Sequence, residues 1–89
     1  MKLVIQYQPS FRRDIKKMKL RGKDLSKLKN IAELLENRVP LPDRYRNHKL
    51  VGNYRDYWEC HIEPDWLLIY KKTPKTLIFV RTGSHSDLF

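Results

Sequence analysis

Three histidines, His48, His61 and His85, run from the middle of the chain to its end, with Asp65 four residues after His61 and Arg81 four before His85. Imidazole titrates near neutrality, so such a set can supply both a base to take a proton from a 2′-hydroxyl and an acid to protonate a departing 5′-oxygen. An arginine beside them can stabilise the charge that builds on phosphate oxygens in the transition state. That combination suits metal-independent cleavage of RNA, whose nucleophile is its own hydroxyl and needs only to be held in line; DNA, lacking the hydroxyl, would be spared. No histidine pair has the i, i+4 spacing of helical zinc sites, and no Gly-rich phosphate loop appears, so neither metal nor cofactor is expected. Taken singly, the same residues have quieter readings. His48 fits an ordinary loop histidine, Trp66 fits hairpin packing as well as base stacking, Cys60 fits a small core residue, and Arg81 could pair with Asp65 or Asp87.

These side chains need elements to carry them. KLVIQY (2–7) reads as a strand that ends before Pro9. In SFRRDIKKMKLRG, Ser10 is a candidate N-cap, Phe11, Ile15 and Met18 recur at helical spacing, and Gly22 stops the run. A second helix starts near Asp24, with Leu25, Leu28, Ile31, Ala32 and Leu35 as its apolar stripe. VPLPDRYRNHKLVGN (39–53) has two prolines and no periodicity and reads as a long, functional loop. In DYWECHI, Trp58, Cys60 and Ile62 alternate with Tyr57, Glu59 and His61, which puts His61 on the face opposite the first set. EPDW is a turn with Pro64 at its second position, DWLLIYKK runs back, and after TPK the strand TLIFVR leads to Gly83. The order β-α-α-β-β-β predicts an α+β fold, a helical hairpin packed on a largely antiparallel four-stranded sheet, as one domain over residues 1–89. All three histidines are expected on the face away from the helices.

Composition narrows the setting. The chain has 89 residues, 40% hydrophobic and 33% charged, and a net charge of +9, all of it excess from residues 1–49. A surface of that kind attracts polyanions, nucleic acid above all, unless it is only a solvated helical face. With one cysteine there is no internal disulfide, and with no long apolar run there is no membrane partner; a cytoplasmic home is expected.

HKLVG, WECHIEPDWLLIY and RTGSHSDLF, in that order after a lysine-rich helical hairpin, resemble YafQ-type toxins of the RelE/ParE superfamily over nearly the whole chain. The resemblance implies a ribosome-dependent mRNA interferase of a bacterial toxin–antitoxin pair, with a microbial-RNase-like fold. Its partners would be mRNA on the ribosome, ribosomal RNA and a cognate antitoxin, with DNA approached only as an operator through the antitoxin complex. By motif it implies catalytic His48, His61, Asp65, Arg81 and His85, with Trp66 and Phe89 binding substrate. His85 is then the general acid, and His48, His61 and Asp65 act together as the base. Arg12, Arg13, Lys16, Lys17, Lys19, Arg21 and Lys23 would contact ribosomal RNA phosphates. Ser86 and Asp87 replace small or apolar residues of the family tail, and Asp87 is expected to put a negative charge close to the phosphate. A ParE-like gyrase inhibitor would need no histidine set, and a non-catalytic RNA-binding translation blocker would use the basic helices alone.

Overall fold

The computed structural model describes residues 2–52 and 56–89. In chain order it contains β1 (Val4–Tyr7), α1 (Pro9–Leu20), α2 (Leu25–Glu36), a 3-10 turn (Asp43–Tyr45), β2 (His48–Lys49), β3 (Trp58–Glu63), β4 (Trp66–Lys72), β5 (Thr76–Gly83) and α3 (His85–Leu88). The α+β class is as expected, but the sheet has five strands rather than four, in the order β1-β5-β4-β3-β2. The additional strand is HK, inside the segment read as a loop: His48 pairs with Glu59 and Lys49 with Trp58. Two residues carry no detectable alternation, which is why the segment looks featureless in sequence. The last residue of that segment, Asn53, lies outside the described residues. β1 runs parallel to β5 and every other pairing is antiparallel.

Both helices start and stop for local reasons. α1 is not capped by Ser10: Gln8 is the extended N-cap and Pro9 occupies the first turn, where its missing N–H would have had no partner anyway. The Ser10 hydroxyl instead donates to the Val80 carbonyl at 2.7 Å. At the other end Gly22, at φ 74°, lets Lys23 N–H reach Met18 O and Gly22 N–H reach Lys19 O, the paired bonds that close a helix through a left-handed residue. Asp24 caps α2 by accepting from Ser26 N–H at 3.0 Å.

The helices cover one face of the sheet, with Phe11, Met18, Leu28, Ile31 and Leu35 packed among Cys60, Trp66, Leu68, Tyr70 and Phe79. Burial pushes the Cys60 thiol up to about 12. A smaller cluster of Leu67, Ile69, Val80 and Leu88 covers the centre of the opposite face. WLLIY in β4 is therefore buried on both sides, which explains its unbroken apolar run.

Among the described residues β1 pairs with Thr76–Phe79 and no strand lies beside the remaining outer edge of β5. α1 lies along that edge and satisfies it with side chains. Ser10 serves Val80 O, and the buried Asp14 carboxylate accepts from Thr82 N–H at 3.1 Å and from Arg81 Nε at 2.6 Å and Nη2 at 3.2 Å. Two bulges then decide which way side chains point. Ile69 pairs with Arg81 but Tyr70 with Phe79, leaving Val80 as an extra residue that turns Arg81 toward the face away from the helices. Likewise His61 pairs with Leu67 and Glu63 with Trp66, so the extra Ile62 sends Glu63 toward the helices, where Lys23 and Lys27 meet it at 2.9 and 2.8 Å.

α3 is a single turn fixed at three points. Ser84 and Asp87 cap each other reciprocally, Leu88 enters the smaller cluster, and Arg21 grips Asp87 with Nη1 at 2.5 Å and Nη2 at 2.9 Å. Gly83 makes room, since a Cβ there would lie 2.9 Å from Asp87 Oδ2 and 3.0 Å from its Cβ. Hydrogen bonding from Arg21 holds the Asp87 carboxyl well below the usual range. A depressed carboxyl contributes stability above its unfolded value and loses it as pH falls through the folded one. Unfolding in urea is therefore expected to become easier below about pH 4 in part through this group. Asp87→Asn should cost about 1 kcal/mol at pH 7 and flatten that acid-side dependence, measured by urea titrations at pH 7 and pH 3.

Candidate active site

On the face away from the helices, cross-strand pairing lines up His48, Glu59, Ile69 and Arg81 in one row and His61, Leu67 and Gly83 in the next. The three imidazoles form a chain, with ring centroids 6.4 Å apart between His48 and His61 and 5.8 Å between His61 and His85. The convergence expected from sequence is present, and each ring is held differently.

His85 is oriented by Asp65, whose Oδ1 accepts both the His85 backbone N–H at 2.9 Å and Nδ1 at 2.6 Å. A carboxylate only accepts, so Nδ1 carries the proton and Nε2 is left for chemistry. The same two bonds, the backbone one first, hold the Asp65 carboxyl below its ordinary value and keep it anionic across the neutral range. Asp65 sits on the two-residue turn between β3 and β4, so the sharp EPDW reversal is what brings it beneath the tail.

His48 and His61 share a carboxylate that motif and spacing do not single out. Glu59 is 6% exposed, with Oε1 3.6 Å from His48 Nε2 and 3.4 Å from His61 Nε2. The far nitrogens face carbonyls, His48 Nδ1 at 2.7 Å from Arg46 O and His61 Nδ1 at 3.4 Å from Pro64 O. Carbonyls can only accept, so both Nδ1 atoms donate, and both Nε2 atoms look onto one carboxylate oxygen that can relay a proton. Strand alternation in DYWECHI already puts Glu59 on the face of His61. The missing signal is the pairing with His48, which depends on β2. The Tyr70 hydroxyl, kept protonated by burial, anchors that strand by donating to Asn47 Oδ1.

Several expected roles change. Trp66 is fully buried on the helix side and presents no face to a nucleotide base. Its Nε1 donates to Thr82 Oγ1 at 2.9 Å, and Thr82 passes the bond to Leu67 O at 2.7 Å, which ties the Asp65 turn to β5. Arg81 pairs with Asp14, from the first helix, rather than with Asp65 or Asp87. Asp87 is neutralised by Arg21 instead of standing as a free negative charge beside the site. Arg21 and Lys23 are thus engaged within the molecule, whereas Arg12, Arg13, Lys16, Lys17 and Lys19 project from α1, the first helix. Phe89 ends the chain, 62% exposed, with its N–H on His85 O at 2.8 Å.

Among the described residues, no three His, Cys, Asp or Glu side chains are arranged to hold a metal ion, and no helix is long and apolar enough to cross a membrane. What the site offers is three imidazoles that face carboxylates, an oriented guanidinium and a terminal aromatic ring.

Comparison with known proteins finds relatives of the same fold. The chain is 46% identical over 86 residues to the mRNA interferase toxin YafQ of Escherichia coli K12, covering 96% of this chain and 94% of that protein. It superposes on the crystal structure of YafQ from E. coli BL21(DE3) with a TM-score of 0.93 at 44% identity, over 98% of both chains. It also superposes on a chain of the E. coli DinJ-YafQ toxin-antitoxin complex, with a TM-score of 0.92 at 44% identity, over 100% of this chain and 99% of that one. Residues 3–89 match the family described as the bacterial toxin of type II toxin-antitoxin systems, YafQ, and with the histidine row and its fold in hand the chain is a member of that family.

Proposed function

We infer that this chain is an endoribonuclease, an mRNA interferase toxin that cuts messages in the ribosomal A site and is silenced by a cognate antitoxin. The observation that carries the reading is the row His48, His61, His85 with a carboxylate on each end group, Glu59 between the first two and Asp65 under the third. The name of the E. coli relative as an mRNA interferase and the solved DinJ-YafQ complex support the activity and the partner.

In the reaction, the 2′-hydroxyl gives its proton to the His48–Glu59–His61 unit as its oxygen bonds to phosphorus. The P–O5′ bond breaks, and His85 Nε2 supplies the proton that the departing 5′-oxygen needs, leaving a 2′,3′-cyclic phosphate. Asp65 accepts from the His85 backbone N–H and from Nδ1–H, and so fixes the ring with Nε2 toward the leaving oxygen. Arg81, two of whose five donors go to Asp14, stabilises the equatorial phosphate oxygens. Phe89 stacks on a base beside the cut. The exposed cations of α1 hold ribosomal RNA phosphates.

Mapping message 5′ ends by primer extension on programmed ribosomes tests this. In-frame cuts are expected from the wild type, and a rate about 10²–10⁴ lower from His85→Ala. Ribosome stalling by both proteins without cuts would instead identify a translation blocker, and inhibition of gyrase without either would identify a ParE-like protein. Asp65→Asn should lower kcat while leaving half-saturation nearly unchanged, because the amide can donate to Nδ1 and stabilise the wrong tautomer. Reversing the charge of Arg13, Lys16 and Lys17 together should weaken ribosome binding and reduce its salt slope by about one for each phosphate no longer held, with the cut position unchanged. A shifted cut position would show that α1 takes part in choosing the site.

A further inference from the structure

A cleft of about 480 Å³ opens beside His61, lined by Lys27 and Asn30 of α2, by Arg44, Tyr45 and Arg46 of the 3-10 turn and its exit, and by the β3–β4 turn. Its volume is in the range of small-ligand pockets, and its wall is cationic. Glu63, the one acid on that wall, is already paired with Lys23 and Lys27, so it offers little repulsion to an anion. The Arg46 guanidinium makes no hydrogen bond or ion pair among the described residues. Arg44 sits over the Tyr45 ring at 4.7 Å and donates to the Tyr45 hydroxyl at 2.9 Å. Tyr45 in turn packs against the main core, which makes the pair a fixed platform. Guanidinium planes of this kind are surfaces on which unpaired RNA bases stack.

Two backbone features join the cleft to the histidine row. Arg46 has a left-handed conformation, φ 47° and ψ 48°, that arginine rarely adopts. That conformation lets its carbonyl receive His48 Nδ1 while its side chain lines the cleft. His61 belongs to both places, contacting Glu59 on one side and walling the cleft on the other.

The geometry points to this cleft as a subsite for the message nucleotide next to the scissile phosphate, its base stacked on Arg44 and its phosphate held by Arg46. The assignment rests on the endoribonuclease reading and extends it from chemistry to substrate placement. Cationic side chains around a stacking platform suit a nucleotide better than an acidic peptide, which would leave the platform unused. The cleft and the histidine row share His61, so a nucleotide here lies next to the bond that is cut.

The test is a cycle of two proteins and two messages on programmed ribosomes. Wild type and Arg44→Gln/Arg46→Gln are each given an intact message and one made abasic at the nucleotides flanking the cut. Either change alone is expected to raise half-saturation about tenfold with kcat within about twofold, and the two together should fall clearly short of the roughly hundredfold of independent effects, because the Arg44 stack is lost in both while the Arg46–phosphate contact is lost only in the protein and Phe89 stacking only in the message. Arg46→Lys, which keeps the charge at the same backbone position, should stay within about threefold of the wild type and exclude misfolding as the cause. Full additivity of protein and message changes would mean that the arginines contact ribosomal RNA, and the subsite would be wrong. Unchanged half-saturation of the double variant, with weakened binding of an acidic peptide, would make the cleft a peptide groove and equally overturn it. A wild type that makes no cut would remove the endoribonuclease reading and the subsite with it.

Discussion

A single buried carboxylate, Asp14, closes the sheet where its strands run out. β5 extends beyond β1, and an unpaired edge beside a core leaves backbone donors without water or partner. Asp14 answers one of those donors, the Thr82 N–H, and uses the same group to fix the Arg81 guanidinium. The first helix is thus bonded to the strand that ends at the tail. Thr82 continues the connection inward through the Trp66 indole to the turn that carries Asp65. Edge closure, arginine orientation and placement of the tail that carries His85 are consequences of one hydrogen-bond network, and a change at Asp14 cannot be confined to the helix.

The two bulges have complementary effects. One extra residue in β5 rotates Arg81 onto the histidine face, and one in β3 rotates Glu63 off it. Strict alternation would have buried the guanidinium among the helices and placed another carboxylate among the histidines. Positive charge and histidines are gathered on one surface, while Glu63 is spent on the lysines of the helical hairpin. Such local irregularities bend a strand and re-aim side chains at little cost in pairing.

What is legible in the sequence follows from this. Periodicity carries the two helices, the three long strands and the outward face of His61, because those signals are local. Asp14 falls three residues after Phe11 and four before Met18, inside an apolar stripe, and by pattern alone is only a polar interruption. Its partners lie far along the chain, and no window on α1 reveals them. Trp66 fits core and platform equally well by type, and only the register of the turn decides that its ring points at the helices. Glu59 looks like an ordinary surface acid in an alternating strand until a two-residue strand brings His48 beside it. Bulges, short strands and long-range ion pairs are tertiary facts, and they account for the revised roles.

The sole cysteine gives this architecture an internal clock. Cys60 is sealed between the sheet and the helices with its thiol held up to about 12, so in the folded protein it is neither ionised at neutral pH nor reachable. In the unfolded chain it reverts to an ordinary, reactive thiol. The pace at which a thiol reagent consumes Cys60 then reports how often the whole core opens, without any label or substitution. A toxin whose histidine row sits on one face of the sheet and whose sulfur is sealed on the other can have its unfolding followed without substituting any residue of that row.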